Sequence, residues 1–454
     1  MIVAFLKGHN MDGEKESRIL FVNLLFPKIF KTFRMAIQPS KLIIAFLAIA
    51  VICLAGWIMD FSQTVVVGPQ TQIISNEQIT TKAETTELQI YLTSPAQMQS
   101  YLERYKQKGQ RTGVFSTLWH FAALKFHGAL KSLFAFNLPG VAANVADYFR
   151  AMRWALRYHW FYCIVFFVIK LAVISIAGGA ICRLAALQFA RGEKPGLSET
   201  LRFSIKKFVS LFTAPLAPMA IIIFLGLFIF ILGLIGNIPW IGELIIGITL
   251  PLALITGSLV TVVLIGAVAG FNLMYPVIVY EGSDCFDAIS RSFSYVYSKP
   301  WRMVFYTVIA GLYGAICYIF VRFFVFLLLL TTHLFLRLGV WADNSSKQLN
   351  KLAAIWPEPS FMNLPGTQGF VTTNWSESVA VFLVYLSLLV VVGLVVSFII
   401  SFYFSANTVI YSLMRNKVDG TDLEEIYNPF AELTSQSREE TQTSENAGTN
   451  PENS

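Results

Sequence analysis

Long apolar runs separated by polar segments dominate the pattern of this 454-residue chain. A helix needs about 20 apolar residues to cross a hydrocarbon core of about 30 Å. In lipid every backbone amide and carbonyl must find its partner within its own segment, so these runs predict helices. The six predicted spans are Leu42–Met59, Trp160–Ala180, Phe212–Gly236, Leu244–Phe271, Met303–Arg322 with an apolar extension to Leu336, and Val379–Ile410.

The composition favours the same class of protein. Hydrophobic residues make up 55% of the chain and charged residues 13%, whereas about 25% of a soluble domain is charged. We therefore expect an all-α, polytopic integral membrane protein with about six transmembrane helices and amphipathic elbow helices in the membrane plane. Neither the five cysteines nor the five histidines have metal-ligand spacing, so no metal and no cofactor is predicted.

The distribution of Lys and Arg predicts the orientation in the membrane. Segment 1–41 carries seven of them, and segment 183–207 carries six, whereas segment 237–243 has none. Cytoplasmic loops are enriched in cations, so both termini are predicted to be cytoplasmic. Segment 60–158 carries ten Lys or Arg and would lie outside, but long loops are largely exempt from this rule.

Segment 60–158 has two parts. Residues 60–113 are polar, with a β-prone run at 64–67, and are expected to form a small extracytoplasmic subdomain. Residues 114–158 predict two amphipathic helices lying in the interface, the second with three arginines on one side. The alternative is that 114–136 is a seventh span, against which its two lysines and two histidines argue. The three arginines are Arg150, Arg153 and Arg157.

Two later loops share a plan within the expected five-helix membrane domain, residues 159–412. Each has a polar turn, at 191–196 and at 281–284, followed by a helical apolar pattern that leads into the next span. One interpretation is a duplicated unit of span, elbow helix and span. The other is that any loop leading into a membrane helix tends to be amphipathic. Residues 413–454 are expected to form a cytoplasmic, largely disordered tail.

The second of these loops resembles a known membrane domain. The run Asp284-Cys-Phe-Asp-Ala-Ile-Ser-Arg-Ser-Phe-Ser-Tyr-Val-Tyr-Ser-Lys-Pro-Trp-Arg302 is similar to the elbow of a loose group of bacterial multi-pass proteins. That group includes the membrane domain of some glycerophosphodiester phosphodiesterases. The resemblance covers roughly residues 160–420 and implies the membrane fold. It implies no catalytic residue, because the sequence contains no phosphodiesterase catalytic domain.

Lys170 is the candidate functional residue inside the membrane. It lies about 20 Å along a helix from both Arg157 and Arg183, and therefore near the middle of the bilayer. A charged residue at that depth is either part of a transport or gating site or a tolerated lysine whose ammonium reaches the interface.

These patterns predict a protein of a bacterial inner membrane that is not an enzyme. We expect a scaffold or accessory subunit in envelope or lipid homeostasis. Its candidate partners are anionic lipids and another membrane protein, and no nucleic acid is expected. The alternative is a transporter or permease for a small molecule or lipid, favoured by Lys170, the kink expected at Pro251 and the duplicated unit. The predicted headgroup contacts are Arg150, Arg153, Arg157, Arg202, Lys206 and Lys207.

Overall fold

A computed structural model describes residues 26–68, 74–75, 78–79, 86–105, 110–340, 351–361, 364 and 374–427. Predictions for 1–25 and 428–454 lie outside these residues. The helices are α1 (Lys31–Ala36), α2 (Pro39–Asp60), α3 (Glu87–Thr93), α4 (Met98–Tyr105), α5 (Val114–Phe134), α6 (Leu138–Tyr158), α7 (Trp160–Arg191), α8 (Leu197–Lys206), α9 (Phe208–Thr213), α10 (Ala217–Ile235), α11 (Gly242–Glu281), α12 (Cys285–Ser298), α13 (Pro300–Gly339), α14 (Lys351–Ile355) and α15 (Trp375–Val418). The strands are β1 (Val65–Val67), β2 (Ile74–Ser75), β3 (Gln78–Ile79) and β4 (Gln110–Thr112), and 3-10 helices cover Phe26–Phe30 and Pro95–Gln97.

The chain is an all-α, multi-pass membrane protein, as the apolar runs predicted. Among the described residues six helices are long and apolar enough to cross a bilayer, namely α2, α7, α10, α11, α13 and α15. Each coincides with one predicted span. Helix α5 is 21 residues long but is not one of the six, so the alternative of a seventh span gains no support.

Several of these helices are longer than predicted. The predicted spans end at Ala180 and Phe271, whereas α7 has 32 residues and ends at Arg191, and α11 has 40 residues and ends at Glu281. At 1.5 Å per residue they are about 48 and 60 Å long, well beyond a hydrocarbon core. The added turns are buried against other helices, so protein packing continues each helix where the apolar run ends.

The described residues divide into two compact units, one of residues up to 46 and from 175 onward (unit 1), the other of residues 47–174 (unit 2). The division falls within α2 and α7, whereas we expected boundaries near 60, 114 and 159. The first turns of α7 explain the difference. Tyr162, Cys163 and Phe166 pack in the same apolar cluster as the segment between the spans.

Unit 2 is built around a small apolar core. The β-prone run forms β1, which pairs antiparallel with β4 so that Val65 lies opposite Thr112. Helices α5 and α6 pack lengthwise against each other as an antiparallel hairpin, and α3 packs on α6. The buried members of the core are Val65, Leu88, Met98, Val114, Phe115, Ala151, Trp154, Ala155 and Tyr162.

In unit 1 the buried residues concentrate where α7, α11 and α15 end, together with α8 and α12. We call this region the elbow end. Residues 177–187 of α7 and 273–280 of α11 are all buried, as is 404–415 of α15. By contrast, α10 and residues 243–265 of α11 pack mainly on each other and are otherwise largely exposed. The exposed surface is apolar, as a lipid-facing surface must be.

Both predicted elbow helices are present, with different construction. The second is the continuous helix α12. Its N-cap is Asp284, whose carboxylate accepts a hydrogen bond from the Asp287 amide at 3.0 Å. The first is divided into α8 and α9, and Gly196 stands at its N-cap with no side-chain cap hydrogen bond. The duplicated unit remains a prediction, because the two loops share their position but not their form.

Candidate functional site

The three predicted arginines lie on the outside of α6. Arg150, Arg153 and Arg157 are exposed, while Ala151 and Ala155 on the opposite side of the same helix are buried. This separation follows from the helical period, because residues three or four apart share a face. The cations therefore form one outward surface, which we call the arginine face.

A buried carboxylate holds the other side of α6. Glu87, at the start of α3, is 2% exposed, and its Oε2 accepts a hydrogen bond from the Val66 amide at 3.0 Å. Its Oε1 lies 3.7 Å from His159 Nε2, and the His159 ring packs edge-on against Trp154 at 5.1 Å. These contacts connect α3, β1 and α6, so they set which side of α6 faces outward.

One cation of the arginine face already has a protein partner. Arg150 Nη1 lies 3.1 Å from Asp147 Oδ1, and Lys125 Nζ of α5 lies 2.7 Å from Asp147 Oδ2. Among the described residues, neither Arg153 nor Arg157 forms an ion pair. Arg153 and Arg157 are thus the stronger candidates for contact with lipid headgroups. Arg150 also takes part in the ion pairs at Asp147 that join α5 and α6.

Asp60 attaches the base of this hairpin to the ends of two spans. Its Oδ1 and Oδ2 accept hydrogen bonds from the amides of Phe115 and Ser116 at 2.8 and 2.9 Å, and Tyr162 Oη donates to Oδ1 at 3.2 Å. A carboxylate at a helix N-terminus satisfies orphan amides and complements the helix dipole. The sequence analysis missed this role, since Asp60 precedes α5 by more than 50 residues and has no local capping pattern.

The hairpin also presents apolar side chains outward. Leu124 on α5 is 72% exposed, Phe149 on α6 is 65% exposed, and Phe136 in the connecting turn is 92% exposed. Within 114–158 there are five Lys or Arg and one acidic residue. Exposed aromatics beside an excess of cations are typical of a helix that lies at a membrane surface.

The other predicted site residues are not part of this surface. Lys170 is half-buried on α7, and it makes no ion pair or hydrogen bond with any residue that the structure describes. Arg202 and Lys206 are exposed on α8. Lys207 instead donates a hydrogen bond to the Gly282 carbonyl, and that bond competes with its predicted contact to a lipid headgroup.

A second polar cluster lies at the elbow end of unit 1. Arg415 Nε lies 2.8 Å from Glu281 Oε1, and Tyr411 Oη donates to the same oxygen at 2.9 Å. Tyr295 Oη donates to Asp419, and burial first and then this bond raise the pKa of Tyr295. These partners are far apart in sequence, so only the tertiary fold identifies them. The available signal was that acidic and basic residues stand at the ends of two different spans.

The chain after α15 folds back over this cluster. Residues Asp419–Tyr427, which we call the strap, follow a turn at Gly420, where φ is +71°. Arg415 Nη1 donates to the Glu425 carbonyl at 2.7 Å, and the Tyr427 amide donates to the Tyr280 carbonyl at 2.8 Å. Ile426 is buried. The strap is therefore held mainly through its backbone.

No group of three or more His, Cys, Asp or Glu with a geometry suited to a metal ion occurs within the described part of the chain. No family model matches this sequence, and no curated protein or solved structure is detectably similar to it. The resemblance to the phosphodiesterase-associated membrane domain thus remains an expectation.

Proposed function

We propose that this protein is a non-enzymatic integral membrane scaffold or accessory subunit in envelope or lipid homeostasis that holds anionic lipid headgroups. The arginine face of α6 carries the proposal, because its cations are exposed while the opposite side of the helix is fixed in the core. Guanidinium groups bind phosphate oxygens through two parallel hydrogen bonds, so Arg153 and Arg157 suit a phosphate surface.

The neighbouring apolar side chains support a lipid rather than a soluble anion. Leu124, Phe136 and Phe149 present exposed apolar surface on the same hairpin. An interfacial helix buries such residues at the acyl boundary and leaves its cations among the headgroups. In this proposal the membrane is a bacterial inner membrane with both termini in the cytoplasm, which the Lys and Arg distribution of the loops favours.

Polar groups of the spans hold the helices to one another, which supports a structural role. Ser401 Oγ donates to the Ala36 carbonyl at 2.7 Å, and Ser175 Oγ and Tyr275 Oη are 3.3 Å apart. Both contacts join different helices. Hydrogen bonds of this kind hold helices together in lipid, where there is no hydrophobic driving force between them.

The test compares the full-length protein in phosphatidylcholine nanodiscs with and without phosphatidylglycerol. Each cation near an anionic surface contributes about 1 kcal/mol, so phosphatidylglycerol should raise the melting temperature of the wild type. Joint replacement of Arg150, Arg153 and Arg157 by Gln should remove most of that increase. The matched control is Arg104→Gln, an exposed arginine on α4 of the same unit. An undiminished increase in the triple variant would refute the proposal.

A transporter is the second candidate, because Lys170 is half-buried in a span and has no partner among the described residues. A lysine without a role costs about 2.5–3.5 kcal/mol on insertion scales, so Lys170→Leu should then leave stability equal or improved and function intact. If Lys170 lines a pathway, the variant should fold but fail to complement a deletion strain. A melting curve together with complementation separates the two functions.

A further inference from the structure

Three cations at the elbow end converge on the strap and the end of α11. Arg183 Nη1 donates to the carbonyls of Val279 and Tyr427 at 3.2 and 2.9 Å. Arg191 Nη2 lies 3.5 Å from the Ile426 carbonyl. Lys207 donates to the Gly282 carbonyl, and its ammonium lies 5.9 Å from the centre of the Tyr427 ring.

These cations have neutral partners only. Among the described residues, none of Arg183, Arg191 and Lys207 forms an ion pair with a carboxylate. Arg183 is 5% exposed, and burying its charge is costly, because Glu199 and Glu193 act on it only from beyond ion-pair distance. Carbonyls in the last turn of α11 compensate part of that cost through the helix dipole. The strap carbonyls are the other acceptors for these cations. An anion in their place would bind the cations more strongly, because hydrogen bonds between opposite charges are stronger than those to a neutral carbonyl.

We infer that Arg183, Arg191 and Lys207 form a binding site for a phosphate group and that the strap covers this site. Two guanidinium groups and one ammonium suit phosphate, since Arg binds its oxygens through paired hydrogen bonds and Lys binds it as a point charge. Arg415 is not part of the site, because Glu281 already neutralises it.

The strap is built so that it can leave the site. It turns away from α15 at Gly420, where a side chain would meet no other atom, so the turn is not held by packing. Its buried apolar anchor is Ile426, and the ring of Tyr427 lies against Gly282, where an added Cβ would be 2.7 Å from the ring. The strap and phosphate would therefore compete for the same cations, and each would weaken the binding of the other.

The first test loosens the strap in the full-length protein. Ile426→Ser and Tyr427→Ala should each bind phosphate about tenfold more tightly than the wild type, equal to about 1.4 kcal/mol. Two probes separate the sources of the phosphate. Inorganic phosphate is titrated in detergent against chloride at the same ionic strength, and phosphatidylglycerol is compared with phosphatidylcholine in nanodiscs. If the strap variants bind inorganic phosphate more tightly than the wild type, the ligand is a free phosphate. If only the binding of phosphatidylglycerol is tighter, the ligand is a lipid headgroup.

A second set of variants tests the cations. In the Tyr427→Ala background, Arg191→Gln should remove the tenfold gain and Arg191→Lys should retain most of it. Arg191 is exposed, so these variants should keep the fold. The matched control is Arg202→Gln, an exposed arginine on the adjacent α8, which should retain the whole gain. Loss of the gain in Arg202→Gln as well would show a general charge effect and overturn the assignment.

The wild type gives an independent readout. The Tyr427 amide donates to the Tyr280 carbonyl, so displacement of the strap should increase hydrogen exchange at that amide when the effective probe is added. The inference is overturned if folded strap variants bind neither probe more tightly than the wild type. It is equally overturned if saturating concentrations of both probes leave this exchange unchanged. Failure here leaves the α6 proposal standing, because the arginine face shares no residue with this site.

Discussion

The two parts of α11 are both apolar but have different surroundings. Residues 273–280 are all buried, whereas residues 243–265 are mostly exposed. The difference lies in the neighbours. At the buried part, Ser175 Oγ of α7 lies 3.3 Å from Tyr275 Oη, and one turn earlier Gly270 lets α12 approach, since an added Cβ would lie 3.3 Å from Ser292 Cβ. Helices associate in lipid through such small and polar residues, because apolar contact alone gives no driving force. Apolar composition thus determines that α11 crosses the membrane, and small and polar residues determine which part of it packs.

The largest effect should come from the ion pair of the packed part. Breaking a buried pair costs about 3–5 kcal/mol. Arg415→Leu leaves the half-buried Glu281 with Arg291 at 3.6 Å, so its cost should lie at the lower end of that range. The matched control is Arg337→Leu, an exposed arginine in the last turn of α13, which should change stability by less than about 0.5 kcal/mol. Chemical unfolding in detergent measures both. Equal losses of unfolding free energy in Arg415→Leu and Arg337→Leu would contradict the difference between buried and exposed regions.

A smaller effect is expected from helix packing itself. In Gly178→Leu the new Cβ would lie 2.6 Å from Phe404 Cζ, and overpacking of this kind costs about 1–3 kcal/mol. A Cβ at Gly257, in the exposed part of α11, meets no atom within 4 Å, so Gly257→Leu should be neutral or stabilising. Thermal unfolding of the two variants compares the regions directly. Destabilisation by Gly257→Leu would indicate that a further protein surface covers this part.

The smallest effect concerns pH. Burial and the bond to Asp419 raise the pKa of Tyr295, so the folded state favours the protonated phenol. That stabilisation is fully present below the unfolded tyrosine pKa of about 10 and is lost as pH rises beyond it. Asp419 is exposed, so Tyr295→Phe should cost only about 0.5–1.5 kcal/mol at neutral pH and should flatten the decline above pH 10. An equally steep loss of stability above pH 10 in Tyr295→Phe would show that other tyrosines cause this loss.

Much of the architecture was predictable because the length of an apolar run is a local property of the sequence. The six spans, the elbow helices and the outward arginines of α6 were all expected from runs and periods within single segments. The helix ends at Arg191 and Glu281 were not, because those turns are stabilised by protein neighbours and not by lipid. The capping of α5 by Asp60 joins residues separated by more than 50 positions, so no local pattern indicated it.

By itself the sequence determined that this chain enters a membrane, how often it crosses, and which helices carry cations. Those properties depend on transfer free energies and on the helical period, which are local. Only the tertiary structure decided that Arg153 and Arg157 form no ion pair with the described residues, that Lys207 has a hydrogen-bond partner, and that a strap covers Arg183. The energy of a charge depends on what surrounds it, and residues from distant segments provide those surroundings.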